Sequence, residues 1–200
     1  GAAGAAGGRG AGGRGAAGAA ASTGPRRTYG STIVLRNMVT GAEEKMTYVA
    51  SSTFDDSAKV LVYTIASRDS TQDGIFIRNL ATGTTTTVMK QPGNYRGFNF
   101  DRAQQQFVFT TDAGAEFGKP EPVGTIYVGS LKTGTATALI TPAMVPTGLR
   151  IPATTTATFS RNGTALQFTM SPPAPDTIPA DSLNGKARFD LWHWKDPQLQ

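Results

Sequence analysis

The sequence predicts an all-β fold, a partial β-propeller built from four-stranded antiparallel blades, and three observations lead to this prediction. From about residue 29 onward, Val, Ile, Thr, Phe and Tyr occur in short runs that Gly, Asn, Asp and Pro separate, as in proteins made of many short strands. No window of helical length keeps an apolar pattern at i, i+3, i+4 and i+7. Two short motifs also return along the chain at spacings typical of propeller blades.

The first motif is an apolar run that ends in a Thr-Gly pair. Its three copies end at Gly41, Gly83 and Gly134, which are 42 and then 51 residues apart. Glycine takes the positive φ that closes a hairpin tightly, and another β-prone run follows each pair. The motif therefore predicts two strands joined by a tight turn.

The second motif is an aromatic strand end, a polar turn, and an apolar strand that closes with an aromatic residue and Thr. Its copies begin at Phe54, Phe100 and Phe159. In the third copy the turn contains Asn162 and Gly163, a strong hairpin signal because both residues tolerate positive φ. The first two copies lack this glycine, so we expect their turns to be less regular.

Joined in order, the two motifs give four strands per repeat, as in a propeller blade. We predict a disordered Gly/Ala/Arg linker or inter-blade insertion over residues 1–27 and a propeller segment over 28–200. The predicted parts of that segment are a part-blade (28–50), two blades (51–90 and 95–141) and a blade start (155–200) that a Pro-rich loop (171–187) interrupts.

A blade covers its apolar faces only by stacking on its neighbours, and we expect the phenylalanines of the second motif to pack between the sheets. Since propellers typically close with about 4–8 blades, we also expect the chain to be an internal piece of a longer protein. A sandwich or a barrel would explain the strands but not the recurring turn pairs.

Composition excludes several kinds of chemistry. The chain has no cysteine, so disulfides, thiolate nucleophiles and cysteine-based zinc sites are excluded. Its single histidine, His193, further limits metal sites and acid–base catalysis. It contains no Gly-x-Ser-x-Gly nucleophile elbow and no phosphate-binding Gly-rich loop. We therefore assign no catalytic, cofactor-binding or metal-binding residue.

Acidic side chains and apolar runs give no further site. The acidic residues between the predicted strands are expected to make turns and solvated loops; they are Asp69, Asp73, Asp112, Glu116 and Glu121. No apolar run reaches the roughly 18 residues that a membrane-spanning helix needs.

The net charge of +5 belongs to the leader. Residues 1–27 contain four arginines and no acidic residue, and the rest of the chain is close to neutral. Two Arg-Gly pairs in the leader raise the alternative of RNA binding, but no aromatic residue precedes Tyr29 to stack on a base. We interpret the leader as a flexible linker and expect no nucleic-acid partner.

Three stretches carry a resemblance to a known family. Residues 159–168 read Phe-Ser-Arg-Asn-Gly-Thr-Ala-Leu-Gln-Phe, with Asn162 where the family hairpin has Asp. Residues 93–101 and 190–200 add further likeness, and the Trp-His-Trp-Lys-Asp run with Trp192 and Trp194 is the most specific part. On these residues the segment resembles the N-terminal propeller of the prolyl oligopeptidase family of serine peptidases, above all its large bacterial members with TolB-like repeats.

This resemblance implies a function for the whole protein. The family's catalytic Ser, Asp and His are expected in an α/β-hydrolase domain C-terminal to this segment, and the propeller is expected to gate the access of peptide substrates. It also implies an extracytoplasmic location and places the Gly/Ala leader between blades. The alternative is a free-standing TolB-like propeller that acts as a protein-interaction module.

The two tryptophans have two open interpretations. Trp192 and Trp194 share one face of a strand by period two, and they either pack between blades or line a ligand surface. We interpret His193, which lies between them, as structural, because a triad histidine needs an acid and a nucleophile around it.

Overall fold

The computed structural model describes residues 27–174, and all its regular elements in that range are β-strands except one short 3-10 helix. The strands are β1 (Ser31–Arg36), β2 (Glu43–Phe54), β3 (Val60–Ile65), β4 (Gly74–Asn79), β5 (Thr85–Lys90), β6 (Tyr95–Phe100), β7 (Gln106–Thr111), β8 (Thr125–Ser130), β9 (Thr135–Ile140), β10 (Thr158–Phe159) and β11 (Leu166–Gln167), and the 3-10 helix is Pro142–Met144. The strand pairs whose register is defined are antiparallel. The predicted all-β class is confirmed.

The described chain forms two compact units, of which the first contains residues 27–95 and 112–122. Its sheet has the order β1-β2-β3-β4-β5, so each strand pairs with its neighbours in sequence. The long strand β2 shifts register between Val49 and Ser51; its first half pairs with β1 and its second half with β3. The second half of β2 therefore begins a four-stranded meander that ends at β5.

The core of the first unit is centred on β3. Leu61 and Tyr63 are buried on one face of this strand, together with Met46, Val49 and Phe76. The rings of Tyr63 and Phe76 are stacked with centroids 5.4 Å apart, and the two residues are partners across β3 and β4. Both faces of a central strand are covered, which explains why β3 has a continuous apolar run rather than an alternating one.

The second unit contains residues 96–111 and 123–174 of the described range. It has a four-stranded sheet of order β6-β7-β8-β9 and a two-stranded sheet of β10 and β11. Its buried cluster contains Val108, Ile126, Ile151 and Ala157, each 0% exposed. Phe109 and Tyr127 stack at 5.3 Å and are partners across β7 and β8, the same arrangement as in the first unit.

These two meanders have the topology of propeller blades. In each, four consecutive antiparallel strands pair in sequence order, and the aromatic pair lies between the second and third strands. The fold class predicted from the sequence, a partial β-propeller of four-stranded antiparallel blades, is confirmed. The exact blade limits stay a prediction.

The Thr-Gly turns have the predicted geometry. The φ angles of Gly41, Gly83 and Gly134 are 74°, 70° and 66°, in the region that only glycine enters without strain. Each glycine amide donates to the carbonyl four residues earlier, at 2.8–2.9 Å. In the first two copies the side-chain oxygens of Asn37 and Asn79 also accept the amides two and three residues later.

The turns of the second motif are alike in all three copies, and the expectation of less regular turns is wrong. Ala58 and Gln104 have φ of 50° and 54°, close to the 71° of Gly163 in the third copy. All three amides donate to the carbonyl three residues earlier at 2.9–3.0 Å. In the first two turns Asp55 and Asp101 each accept two backbone amides at 2.7–2.8 Å, and these bonds hold a non-glycine residue in the left-handed region.

The phenylalanines that begin the second motif are not the best-buried aromatic residues. Phe54 is 49% exposed, whereas Phe100 and Phe159 are half-buried. Phe107 and Phe109 of the central strand β7 are 0% exposed. The reason is position: the first phenylalanine ends a strand beside a turn, and a central strand is covered on both faces. The expectation that these phenylalanines pack between the sheets stays a prediction, and Phe54 is the most exposed of the three.

Several predicted features lie outside the described residues. They are Trp192, Trp194 and His193, most of the Pro-rich loop, and the predicted linker except Arg27. Within residues 27–174, no helix has the length and apolar character needed to cross a membrane.

Candidate functional site

Two buried carboxylates in the first unit hold the connection between β5 and β6. Asp73 is 0% exposed and Asp112 is 2% exposed. The amide of Gly93 donates to Asp73 Oδ2 at 3.2 Å, and the next amide, of Asn94, donates to Asp112 Oδ1 at 2.6 Å. The side-chain amide of Asn94 adds a bond to Asp112 Oδ2 at 2.8 Å. Two consecutive amides are therefore fixed by carboxylates from two different loops.

The carboxylate of Asp73 is also fixed by its own loop, which joins β3 to β4. Its Oδ1 accepts the Ser67 amide at 2.8 Å and the Ser67 hydroxyl at 3.2 Å. In the same loop, hydrogen bonds from the Thr71 and Ser67 hydroxyls to Asp69 hold the pKa of that exposed carboxyl below its ordinary value. The hydrogen bonds within the loop thus fix the positions of both carboxylates.

Gly93 is required at its position because the loop that follows β7 lies directly against it. A Cβ on this residue would lie 2.7 Å from Cα and Cβ of Ala113. Any larger residue would push the connection away from Asp73 and Asp112, and both carboxylates would lose the amides they accept. Close backbone packing at this point therefore depends on glycine.

Arg27 covers the Asp73 carboxylate. Its guanidinium forms an ion pair with Asp73 and donates a hydrogen bond to Ser70 Oγ. The guanidinium carbon lies 5.5 Å from the ring centroid of Tyr29 and 4.9 Å from that of Phe117, within the range of cation–π attraction. The arginine side chain is only 15% exposed. An ion pair and two aromatic rings thus enclose one cation.

The chain around Arg27 is itself anchored. The amide of Gly30 donates to the carbonyl of Ala66 at 3.0 Å, and the amide of Ala66 donates to the carbonyl of Tyr48 at 2.9 Å. A Cβ on Gly30 would lie 1.9 Å from the Tyr48 oxygen, so the segment approaches β2 as closely as glycine permits. These contacts hold the segment so that Arg27 lies next to Asp73.

The arrangement is suited to binding and positioning. The Ser67 hydroxyl donates to the carboxylates of Asp69 and Asp73, and the Ser70 hydroxyl accepts a hydrogen bond from the Arg27 guanidinium. In the part of the chain that the structure describes, no group of three or more His, Cys, Asp or Glu is placed to hold a metal ion. In this structure the arrangement holds the guanidinium of Arg27 and fixes the loops around it.

The sequence interpretation missed this site. The sequence predicts solvated loops for Asp73 and Asp112, but the structure buries both. It predicts Arg27 in the linker, but this arginine is an enclosed member of the first unit. A signal was present: Asp73 immediately precedes the apolar strand β4, and Asp112 immediately follows the apolar strand β7. A carboxylate beside a buried strand lies where loop amides need acceptors.

Comparison with known proteins finds similarity only among solved structures. No family model and no curated protein matches the sequence. The β-propeller domain of the Trilobed protease from Pyrococcus furiosus is similar with a TM-score of 0.49 and 13% identity, over 74% of this chain and 42% of that one. The acylaminoacyl peptidase of Pyrococcus horikoshii is similar with a TM-score of 0.46 and 14% identity, over 74% of this chain and 24% of that one.

TolB from Acinetobacter baumannii is similar with a TM-score of 0.42 and 17% identity, over 68% of this chain and 31% of that one. The chain thus spans between 24% and 42% of the length of these structures, and the likeness is one of fold. The strand order and turns described above define that fold from the chain itself. The chain is a partial β-propeller, a conclusion that follows from its own strand order and turns.

Proposed function

We propose that this chain is the non-catalytic propeller portion of a prolyl oligopeptidase-like serine peptidase, and that it gates the access of peptides to a hydrolase domain C-terminal to it. The observation that carries this proposal is the third hairpin, at residues 159–168, whose sequence resembles the hairpin of that family. Its turn has the hydrogen bond and the positive φ of the two turns before it. The family-like hairpin is therefore one of three copies of a repeat within residues 27–174.

The loop-fixing carboxylates support a gating role. A filter that admits short peptides and excludes large ones needs loops that keep their positions. Asp73 and Asp112 supply this by fixing consecutive amides, at Gly93 and Asn94, to two other loops. The partners of the proposed module are the hydrolase domain of the same polypeptide and peptide substrates, and the family resemblance favours an extracytoplasmic location.

The hydrolase part of the proposal is tested on the full-length gene product. A fluorophosphonate probe that reacts with activated serines is expected to label it at a Gly-x-Ser-x-Gly serine beyond residue 200, because the nucleophile elbow exposes and activates that hydroxyl. Replacing that serine by alanine is the control and should abolish labelling. A gene that stops soon after Gln200, with no labelling, would refute the peptidase and favour the alternative, a TolB-like interaction module.

The gating part is tested by loosening one loop. In the full-length enzyme, Asp112→Asn replaces a carboxylate that accepts two bonds from Asn94, and we expect the ratio of long-peptide to short-peptide kcat/KM to rise about tenfold. The matched control is Glu43→Gln, which removes an exposed partner of Arg36 and should leave the ratio unchanged. An equal effect of both substitutions on the ratio would contradict gating by these loops.

A further inference from the structure

We propose that the first unit contains a binding site for a guanidinium group, that Arg27 of the same chain occupies it, and that an arginine side chain of a peptide binds there when Arg27 is absent. The site, which we name the guanidinium cage, consists of Asp73, Ser70, Phe117 and Tyr29.

The cage requires a cation. The Asp73 side chain is 0% exposed, and a buried carboxylate without a positive partner loses several kcal/mol of solvation. Of the described residues, Arg27 forms the ion pair with Asp73. The other donors to Asp73, the Ser67 amide and hydroxyl and the Gly93 amide, are neutral. They position the carboxylate without cancelling its charge.

The carboxylate stays in place without Arg27. The amides of Ser67 and Gly93 hold its two oxygens from two different segments, and Gly93 lies in backbone contact with Ala113. Phe117 belongs to the loop between β7 and β8, whose first residue, Asp112, is fixed by Asn94. Ser70 lies in the same loop as Asp73, and its amide donates to the Ser67 carbonyl at 3.4 Å. Three walls of the cage are thus attached to parts of the unit other than Arg27. The fourth wall is Tyr29, two residues from Arg27 in the chain.

The geometry selects a guanidinium over an ammonium. One terminal nitrogen of Arg27 donates to Ser70 and the other to Asp73. The guanidinium carbon lies 4.9 Å from the Phe117 centroid and 5.5 Å from the Tyr29 centroid. Planar guanidinium groups stack on rings and donate along two directions at once, whereas the ammonium of lysine is a compact, strongly hydrated point charge. An arginine side chain therefore satisfies the cage and a lysine side chain does not.

The test is chemical rescue of a variant that empties the cage. In the full chain, Arg27→Ala should lower Tm, and Nα-acetyl-arginine methylamide at millimolar concentration should raise the Tm of this variant by about 2–4 °C. The same ligand should leave the wild-type Tm unchanged, since Arg27 already fills the cage. Nα-acetyl-lysine methylamide should bind the variant at least about tenfold more weakly, as measured by calorimetry.

Two further variants separate the cage from unspecific effects. The double variant Arg27→Ala with Asp73→Asn should lose the rescue, because the ligand then lacks its anionic partner. The matched control is Arg36→Ala, which removes an exposed arginine from its pair with Glu43 and should show no rescue by either ligand.

Every outcome decides the proposal. Equal stabilisation of Arg27→Ala by the arginine and lysine ligands, or stabilisation of the wild type, would overturn it. If Arg27→Ala is unfolded, the arginine ligand should restore its β-sheet circular dichroism and the lysine ligand should not. Failure of the arginine ligand to restore folding would also overturn the proposal.

Discussion

The hydroxyl of Thr110 lies in the core of the second unit without a hydrogen-bond partner among the described residues. The residue is 0% exposed, and its methyl group lies only 2.7 Å from where a Cβ on Gly124 would be, so it is tightly packed. Thr64 occupies the same place in the first unit, but its hydroxyl pairs with Ser51 Oγ at 2.8 Å. Ser51 precedes the turn aspartate of its hairpin by four residues, and the residue at that position in the second hairpin is Gly97, which has no side chain.

Replacing Thr110 by Val should therefore stabilise the protein. Valine has the shape of threonine, and the substitution removes a buried, unpaired hydroxyl whose burial costs about 1–3 kcal/mol. We expect the free energy of unfolding to rise by about 1 kcal/mol. The matched control, Thr64→Val, breaks the bond to Ser51 and should lower it by about 0.5–1.5 kcal/mol. The two substitutions are chemically identical, so their difference, about 2 kcal/mol, isolates the effect of a partner.

The measurement is urea unfolding of the full chain, followed by far-UV circular dichroism, for the wild type and both variants. An unchanged m-value would show that the variants unfold over the same surface. If Thr110→Val instead destabilises the protein by about 0.5 kcal/mol or more, as expected for Thr64→Val, the prediction is wrong. The Thr110 hydroxyl would then have a hydrogen-bond partner such as a buried water.

The remaining predictions concern the second-motif turns and the core. In urea unfolding, Ala58→Gly should stabilise the chain by about 0.5–1 kcal/mol. It removes left-handed backbone strain of about 1–2 kcal/mol, and the greater entropy of the unfolded glycine chain costs less than that. The control Ala103→Gly, in an unstrained part of the equivalent turn, should destabilise the chain. Phe107→Ala should cost about 3–5 kcal/mol, and Phe54→Ala, at a 49% exposed residue, less than about 1.5 kcal/mol; similar losses for both would contradict the burial argument. Burial alone raises the pKa of Asp55, but hydrogen bonds from a serine hydroxyl and backbone amides outweigh it and lower the pKa. The stability that this group contributes should be complete above its unfolded-state pKa and should be lost as the pH falls through the lower folded-state pKa. When Tm is followed from pH 6 to pH 2, this part of the pH dependence should disappear in Asp55→Asn.

The repeated turns show where sequence reasoning works. The Thr-Gly pairs predicted hairpins, and Gly41, Gly83 and Gly134 have the positive φ that the prediction required. Turn chemistry is local, because a residue's φ preference and its side-chain bonds to amides a few positions away depend on neighbours in sequence. The absence of a turn glycine makes the prediction wrong at Ala58, because the carboxylate of Asp55 accepts backbone amides and stabilises the turn without one.

The burial of aromatic residues shows the opposite case. Phe54 and Phe107 are both apolar and both lie in strands, but one is 49% exposed and the other 0%. The difference arises from the position of each strand in its sheet and of each residue along its strand. Sequence periodicity predicts that a strand has a buried face, but it does not give the depth of any residue below the surface.

The sequence by itself determined the class of fold, the order of the strands and the turns between them, because these depend on local preferences repeated several times. Only the tertiary structure decided that Arg27, Asp73, Gly93 and Asp112 form one site. Consecutive members of this set are 46, 20 and 19 positions apart in the chain, and no local pattern relates them. They meet because separate loops reach the same place, where a buried carboxylate needs donors and a positive charge to replace the water it has lost.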